Sequence, residues 1–101
     1  IYAMKGETIE SIAAANNLFV KELIKFNDMR PGQRLEAGEI VYLQAKKKST
    51  RKGLDKYIAD SDGESLRIVS QRFGVKLSEL CKKNNLSPSH VLKEGDTVIL
   101  R

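Results

Sequence analysis

Residues 6–13 read Gly-Glu-Thr-Ile-Glu-Ser-Ile-Ala, and residues 63–70 read Gly-Glu-Ser-Leu-Arg-Ile-Val-Ser. Sliding the sequence by 57 positions superimposes the two stretches and aligns residues 1–44 with 58–101 without a gap. Glu22-Leu23 then meets Glu79-Leu80, Asn27 meets Asn84 and Pro31 meets Pro88. Leu35, Gly38, Val41 and Leu43 meet Leu92, Gly95, Val98 and Leu100. Polar and glycine positions recur along with apolar ones, which marks a duplicated structural unit rather than shared composition. The expected organisation is one module over 1–44, a Lys-rich linker over 45–56 and a second module over 57–101.

Within each copy the pattern alternates between strand and helix. Ile1–Met4 and Tyr57–Asp60 read as short strands. Gly6 and Gly63 permit a turn with positive φ, and Thr8 and Ser65 follow as helix N-caps. Ile9, Ile12 and Ala13 lie at helical spacing, as do Leu66, Val69 and Ser70. Asn17 and Gly74 are the residue types that close a helix in the left-handed conformation. A second helix is marked by Val20, Leu23, Ile24 and Asn27, and in the other copy by Leu77, Leu80, Cys81 and Asn84. The closing runs Ile40–Leu43 and Val98–Leu100 are β-branched and apolar, as strands require. The predicted fold is α+β: two small βααβ modules, each with a two-stranded antiparallel sheet and two helices packed on one face.

Charge and rare residues narrow the function classes. Residues 1–44 carry five basic and six acidic side chains, and residues 57–101 seven and six. Residues 45–56 carry six basic side chains against Asp55, so the net charge of +5 resides in the connection. Near-neutral modules do not offer the basic face that nucleic-acid binding requires. Lys46–Lys48, Arg51 and Lys52 read either as a solvated linker or as an attractor for anionic polymers. Cys81 and His90 are each the only residue of their type, so no disulfide framework or metal-ligand pair arises. Cys81 aligns with Ile24 on an apolar helix face, and His90 falls in a loop. Tyr2, Tyr42 and Tyr57 suit either sugar stacking or partial burial beside the strands. No apolar run approaches the roughly 20 residues of a membrane span. The chain starts at Ile1, as expected for a mature product or an excised piece.

The ordered set Gly-Glu-Thr-Ile-Glu-Ser-Ile-Ala (6–13), Asn-Asn-Leu (16–18), Glu-Leu-Ile-Lys-Phe-Asn (22–27) and Pro-Gly-Gln-Arg-Leu (31–35) resembles the lysin-motif (LysM) family. The second copy supplies Gly-Glu-Ser-Leu (63–66), Phe-Gly-Val (73–75), Glu-Leu (79–80) and Lys-Asn-Asn-Leu (83–86). The resemblance implies non-catalytic binding of N-acetylglucosamine-containing glycan, peptidoglycan ahead of chitin, with no cofactor. It also implies an exported setting: periplasm, cell envelope or extracellular space, with any catalytic domain elsewhere in a longer chain. Carried over residue by residue, the groove of the first copy would comprise Gly6, Glu7, Thr8 and Ile9 with Asn27, Asp28, Met29, Arg30 and Pro31. That of the second would comprise Gly63, Glu64, Ser65 and Leu66 with Asn84, Asn85, Leu86, Ser87 and Pro88. A neutral amide sugar needs hydrogen bonds and an apolar spot for its methyl group, for which Ile9 with Met29, or Leu66 with Leu86, are suited. Two sites in tandem would raise retention through effective concentration.

Three other classes compete. A structural or protein-interaction role suits a degenerate pair of modules. A helix-turn-helix is imitated by 66–86, with Lys76, Lys82 and Lys83 near phosphates, but strands flank the helices where a third helix is expected. An enzyme would need paired carboxylates, a triad or metal ligands, and the lone His and Cys have no partners for that chemistry.

Overall fold

The computed structural model describes residues 1–101, which divide into two compact units, 1–46 and 47–101. Four helices form in chain order: α1 (Ile9–Ala15), α2 (Val20–Phe26), α3 (Leu66–Phe73) and α4 (Leu77–Asn84). One two-stranded antiparallel sheet joins β1 (Lys56–Ile58) to β2 (Thr97–Ile99), with Tyr57 opposite Val98. The architecture is α+β, a helix pair with closely paired chain ends in each unit.

Local chemistry sets the helix limits. Thr8 Oγ1 accepts from Ser11 N at 3.0 Å and Ser11 Oγ accepts from Thr8 N at 2.9 Å, a reciprocal cap that starts α1. Ser65 Oγ accepts from Ile68 N at 3.1 Å at the same place in α3. Asn17 (φ 57°) and Gly74 (φ 69°) close these helices in the left-handed region, as their residue types suggest. After α2 and α4 the same task falls to Asp28 (φ 50°) and Asn85 (φ 52°), short polar side chains that tolerate this conformation.

Each unit has its own core. Ile9, Ile12, Ala13, Leu23 and Val41 pack with Ala3 and Met29 in the first. Leu66, Val69, Val75, Leu80, Leu92, Val98 and Leu100 pack with Ala59 in the second, with Cys81 partly buried against them. The first unit achieves its pairing with less regular strand. Tyr2 bridges Ile40, Ala3 N donates to Glu39 O at 2.8 Å, and Val41 N donates to Ile1 O at 2.7 Å.

The repeat is not free of gaps in three dimensions. Ala3 donates to Glu39 O and accepts from Gly38 N; in the second unit Ala59, not Asp60, makes the matching bonds to Asp96 O and Gly95 N. The opening strand therefore aligns at an offset of 56 while the helices and the closing strand align at 57, so one extra residue lies between Ala59 and Gly63. A one-residue slip in a strand exchanges its faces. Hence Ala3 and Ala59 are both buried, and Asp60 faces water.

Residues 45–56 are more ordered than a solvated connection. Lys46 is 5% exposed, and its Nζ lies 2.7 Å from Asp28 Oδ2. Lys47 pairs in parallel with Val75, its N–H reaching Gly74 O and its carbonyl accepting from Lys76 N, each at 2.9 Å. Thr50 N donates to Leu100 O, Arg101 Nη1 donates to Thr50 O, and Lys83 Nζ donates to Lys48 O. Of the segment's basic side chains, Lys46 serves the fold, while Lys47, Lys48, Arg51, Lys52 and Lys56 stand exposed. Trypsin should therefore cut after Lys46 and Lys47 at least about tenfold more slowly than after the exposed Lys52, because those bonds must open before cleavage. Peptide mapping by mass spectrometry over a digestion time course checks this, and equal rates at all three sites would restore the loose-tether reading.

Candidate functional site

In the first unit, the loop before α1 and the loop that returns toward the closing strand face each other across a cleft of about 420 Å³. One wall is Gly6, Glu7, Thr8, Ile9 and Glu10, and the other is Gly32, Gln33, Arg34 and Leu35. The first wall is held by local bonds. Gly6 turns the chain at φ 84°, Glu7 N donates to Met4 O at 3.0 Å, and Met4 N donates back to Glu7 Oε1 at 2.7 Å. The second wall is a turn in which Gln33 N donates to Arg30 O at 3.1 Å and Gln33 Oε1 accepts from Arg30 N at 3.2 Å. Ile9 is buried and Leu35 packs partly against the core, so both give the cleft an apolar side, while Arg34 and Glu10 stand exposed.

The sequence-derived groove is brought together only in part. Gly6, Glu7, Thr8 and Ile9 line the cleft, whereas Asn27, Asp28, Met29, Arg30 and Pro31 do not. Asn27 is 1% exposed. Its Nδ2 donates to Leu23 O (2.8 Å) and Tyr42 O (2.9 Å), and its Oδ1 accepts from Tyr42 N (2.7 Å). Asp28 pairs with Lys46, Met29 is in the core, and Arg30 and Pro31 are exposed. The cleft's second wall is formed by Gly32–Leu35 rather than by 27–31. Pro31-Gly32 was the available signal, since it announces the turn that carries Gln33 and Arg34 into position.

The second unit uses the same residues differently. Gly63 N donates to Leu92 O at 2.9 Å, Leu92 N donates to Glu64 O at 2.8 Å, and Ser65 bridges Val91. The Glu64 carboxylate accepts from Tyr57 OH at 2.7 and 2.9 Å and from Asp60 N at 3.2 Å, with Arg72 Nη1 3.6 Å away. Tyr57 also lies 5.4 Å from the Phe73 ring, an edge of the core rather than a stacking platform. Ser65 caps α3 and Leu66 is fully buried. Asn84 repeats the role of Asn27, donating to Leu80 O and Ile99 O and accepting from Ile99 N at 2.7 Å. Asn85 ends α4, and Leu86 packs partly against the core. Ser87 and Pro88 are exposed, and Ser87 Oγ lies 3.0 Å from Ser89 Oγ. His90 sits half-buried in this loop, its N–H reaching Ser87 O at 3.1 Å. No helix is long and apolar enough to cross a membrane.

Among solved structures, the chain is similar to the spore cortex-lytic enzyme SleL of Bacillus cereus at 26% identity and a TM-score of 0.43. That match covers 100% of this chain and 22% of that one. It is also similar to SleL of Bacillus megaterium QM B1551 at 20% identity and a TM-score of 0.40, over 98% of this chain and 21% of the other. The chain thus spans about a fifth of the length of these enzymes. No curated protein sequence matches it. The family model described as LysM domain matches twice, over residues 4–43 and 62–101. Those two matches take in most of the chain, which belongs to the LysM domain family.

Proposed function

We propose that this chain is a non-catalytic module that binds an N-acetylglucosamine-containing glycan, peptidoglycan ahead of chitin. In this reading it serves as the targeting part of a longer exported protein of the cell envelope, whose catalytic domain lies outside residues 1–101. The observation that carries it is the cleft of the first unit, where loop backbone and a few polar side chains surround an apolar floor. Its volume suits a small ligand or a short stretch of polymer. The Gln33 amide and the loop N–H and C=O groups match the acetamido group and hydroxyls of the sugar. Ile9 and Leu35 offer contact to its methyl group and ring face. Arg34 supports the preference for peptidoglycan, because its guanidinium suits the carboxylates of lactyl and peptide substituents that chitin lacks.

Sedimentation with insoluble peptidoglycan and chitin, repeated in high salt, tests this. The chain is expected to pellet with peptidoglycan in both buffers and to be displaced by soluble N-acetylglucosamine oligomers. Arg34→Ala should weaken retention on peptidoglycan about two- to fivefold, the range of one exposed charge pair, and change chitin binding little. Binding that disappears in salt would shift the activity to the basic residues of 45–56. No pelleting with either polymer would overturn the proposal.

A further inference from the structure

The two units treat the loop pair around their candidate grooves in opposite ways. In the first, Gly6 N–H, Glu7 C=O and both main-chain polar groups of Leu35 make no hydrogen bond within the protein. Backbone donors and acceptors are rarely left idle, and here they line an open cleft where water or a ligand must satisfy them. In the second, the matching groups satisfy each other through Gly63 N to Leu92 O and Leu92 N to Glu64 O. The extra residue before Gly63 adds a further tie, since Asp62 Oδ1 accepts from Glu94 N at 2.8 Å. Side chains diverge in the same sense. Arg34 and Ser11 of the first unit correspond to Val91 and Ile68, both exposed apolar residues.

We infer that the pair has one glycan site, in the first unit, and that the second unit's groove is closed by its own backbone. A sugar entering the second groove must break two main-chain hydrogen bonds and replace them, beside lips where exposed Val91 and Ile68 stand in the places of Arg34 and Ser11. A sugar entering the first meets donors and acceptors that are already free and held by the capping box and the Arg30–Gln33 turn. The duplicated module therefore confers no avidity within one chain; retention on a polymer is that of a single site. This inference rests on the glycan reading proposed above.

Titrating the isotopically labelled chain with a soluble N-acetylglucosamine oligomer, followed by amide chemical shifts, tests it. Shifts are expected in residues 6–10 and 32–35, with one oligomer bound per chain, while 63–67 and 89–92 stay unmoved. Gln33→Ala should weaken binding about threefold or more, the range of one neutral hydrogen bond, and His90→Ala with Val91→Ala less than twofold. Shifts in both loop pairs, or a stoichiometry of two, would overturn the single site and leave the glycan reading intact. Shifts in 63–67 and 89–92 alone would reverse the assignment of the units. No shift anywhere would sink the glycan reading and the inference with it.

Discussion

Asn27→Ala is expected to destabilise the first unit by about 3 kcal/mol, because three hydrogen bonds to backbone are lost and their partners stay partly buried. The side chain joins the end of α2 to the closing segment, through Leu23 O on one side and both polar groups of Tyr42 on the other. A unit of 46 residues has a small stability reserve, on the order of 3–5 kcal/mol for a core of this size. The variant should therefore lose the amide shift dispersion of residues 1–46 and retain that of 47–101. Asn84→Ala removes the same triplet in the second unit, but Asn84 and Ile99 are less buried, so water compensates and the expected cost falls to about 1–2 kcal/mol. Urea unfolding followed by resolved amide signals of each unit makes the comparison. A change under about 0.5 kcal/mol in Asn27→Ala would show that the side chain does not lock the fold, and would return it to the list of groups available to a ligand.

The role of these asparagines shows what the sequence does and does not disclose. A repeat aligns positions, and positions that recur in two copies are constrained. The repeat alone does not separate an Asn that fixes two backbone segments from one that grips a sugar, but the residue type favours the first, and both asparagines bond to backbone here. Helices, caps and left-handed closures were legible because each is local: Thr8, Ser65, Asn17 and Gly74 act on neighbours within a few residues. The cleft depends on how a loop folds back across the 21 residues of intervening chain between Gly6–Glu10 and Gly32–Leu35. The groove expected from sequence drew its second side from 27–31, whereas this cleft draws its own from Gly32–Leu35. The slip of one residue at Ala59 was equally hidden, since matching glycines and helices on either side outweigh a short strand in any gap-free comparison.

The basic segment was the hardest to read, and Lys46 shows why. Three consecutive lysines look like a solvated run, and composition cannot say that the first of them is buried. Its ammonium meets Asp28 at 2.7 Å and lies 5.8 Å from the centre of the Tyr42 ring. Burial, with a smaller contribution from Tyr2, holds the Tyr42 phenol above its usual 10.0, so that side chain stays neutral beside the ammonium.

The ion pair is lopsided: the Lys46 side chain is 1% exposed and that of Asp28 28%. Removing either partner should therefore have unequal consequences. Lys46→Met keeps the stem's packing and leaves a carboxylate that reaches water, at an expected cost under about 1 kcal/mol. Asp28→Asn keeps a residue that tolerates φ 50° but leaves the buried ammonium without its carboxylate, and should cost about 2–3 kcal/mol. The double variant should recover most of that loss, giving a coupling of about 2 kcal/mol in a double-mutant cycle on the first unit. The opposite order, with Lys46→Met the more damaging, would mean that the pair gains more from attraction than it loses by desolvation. Lys46 would then count as a stabilising cation rather than a buried charge that Asp28 makes tolerable.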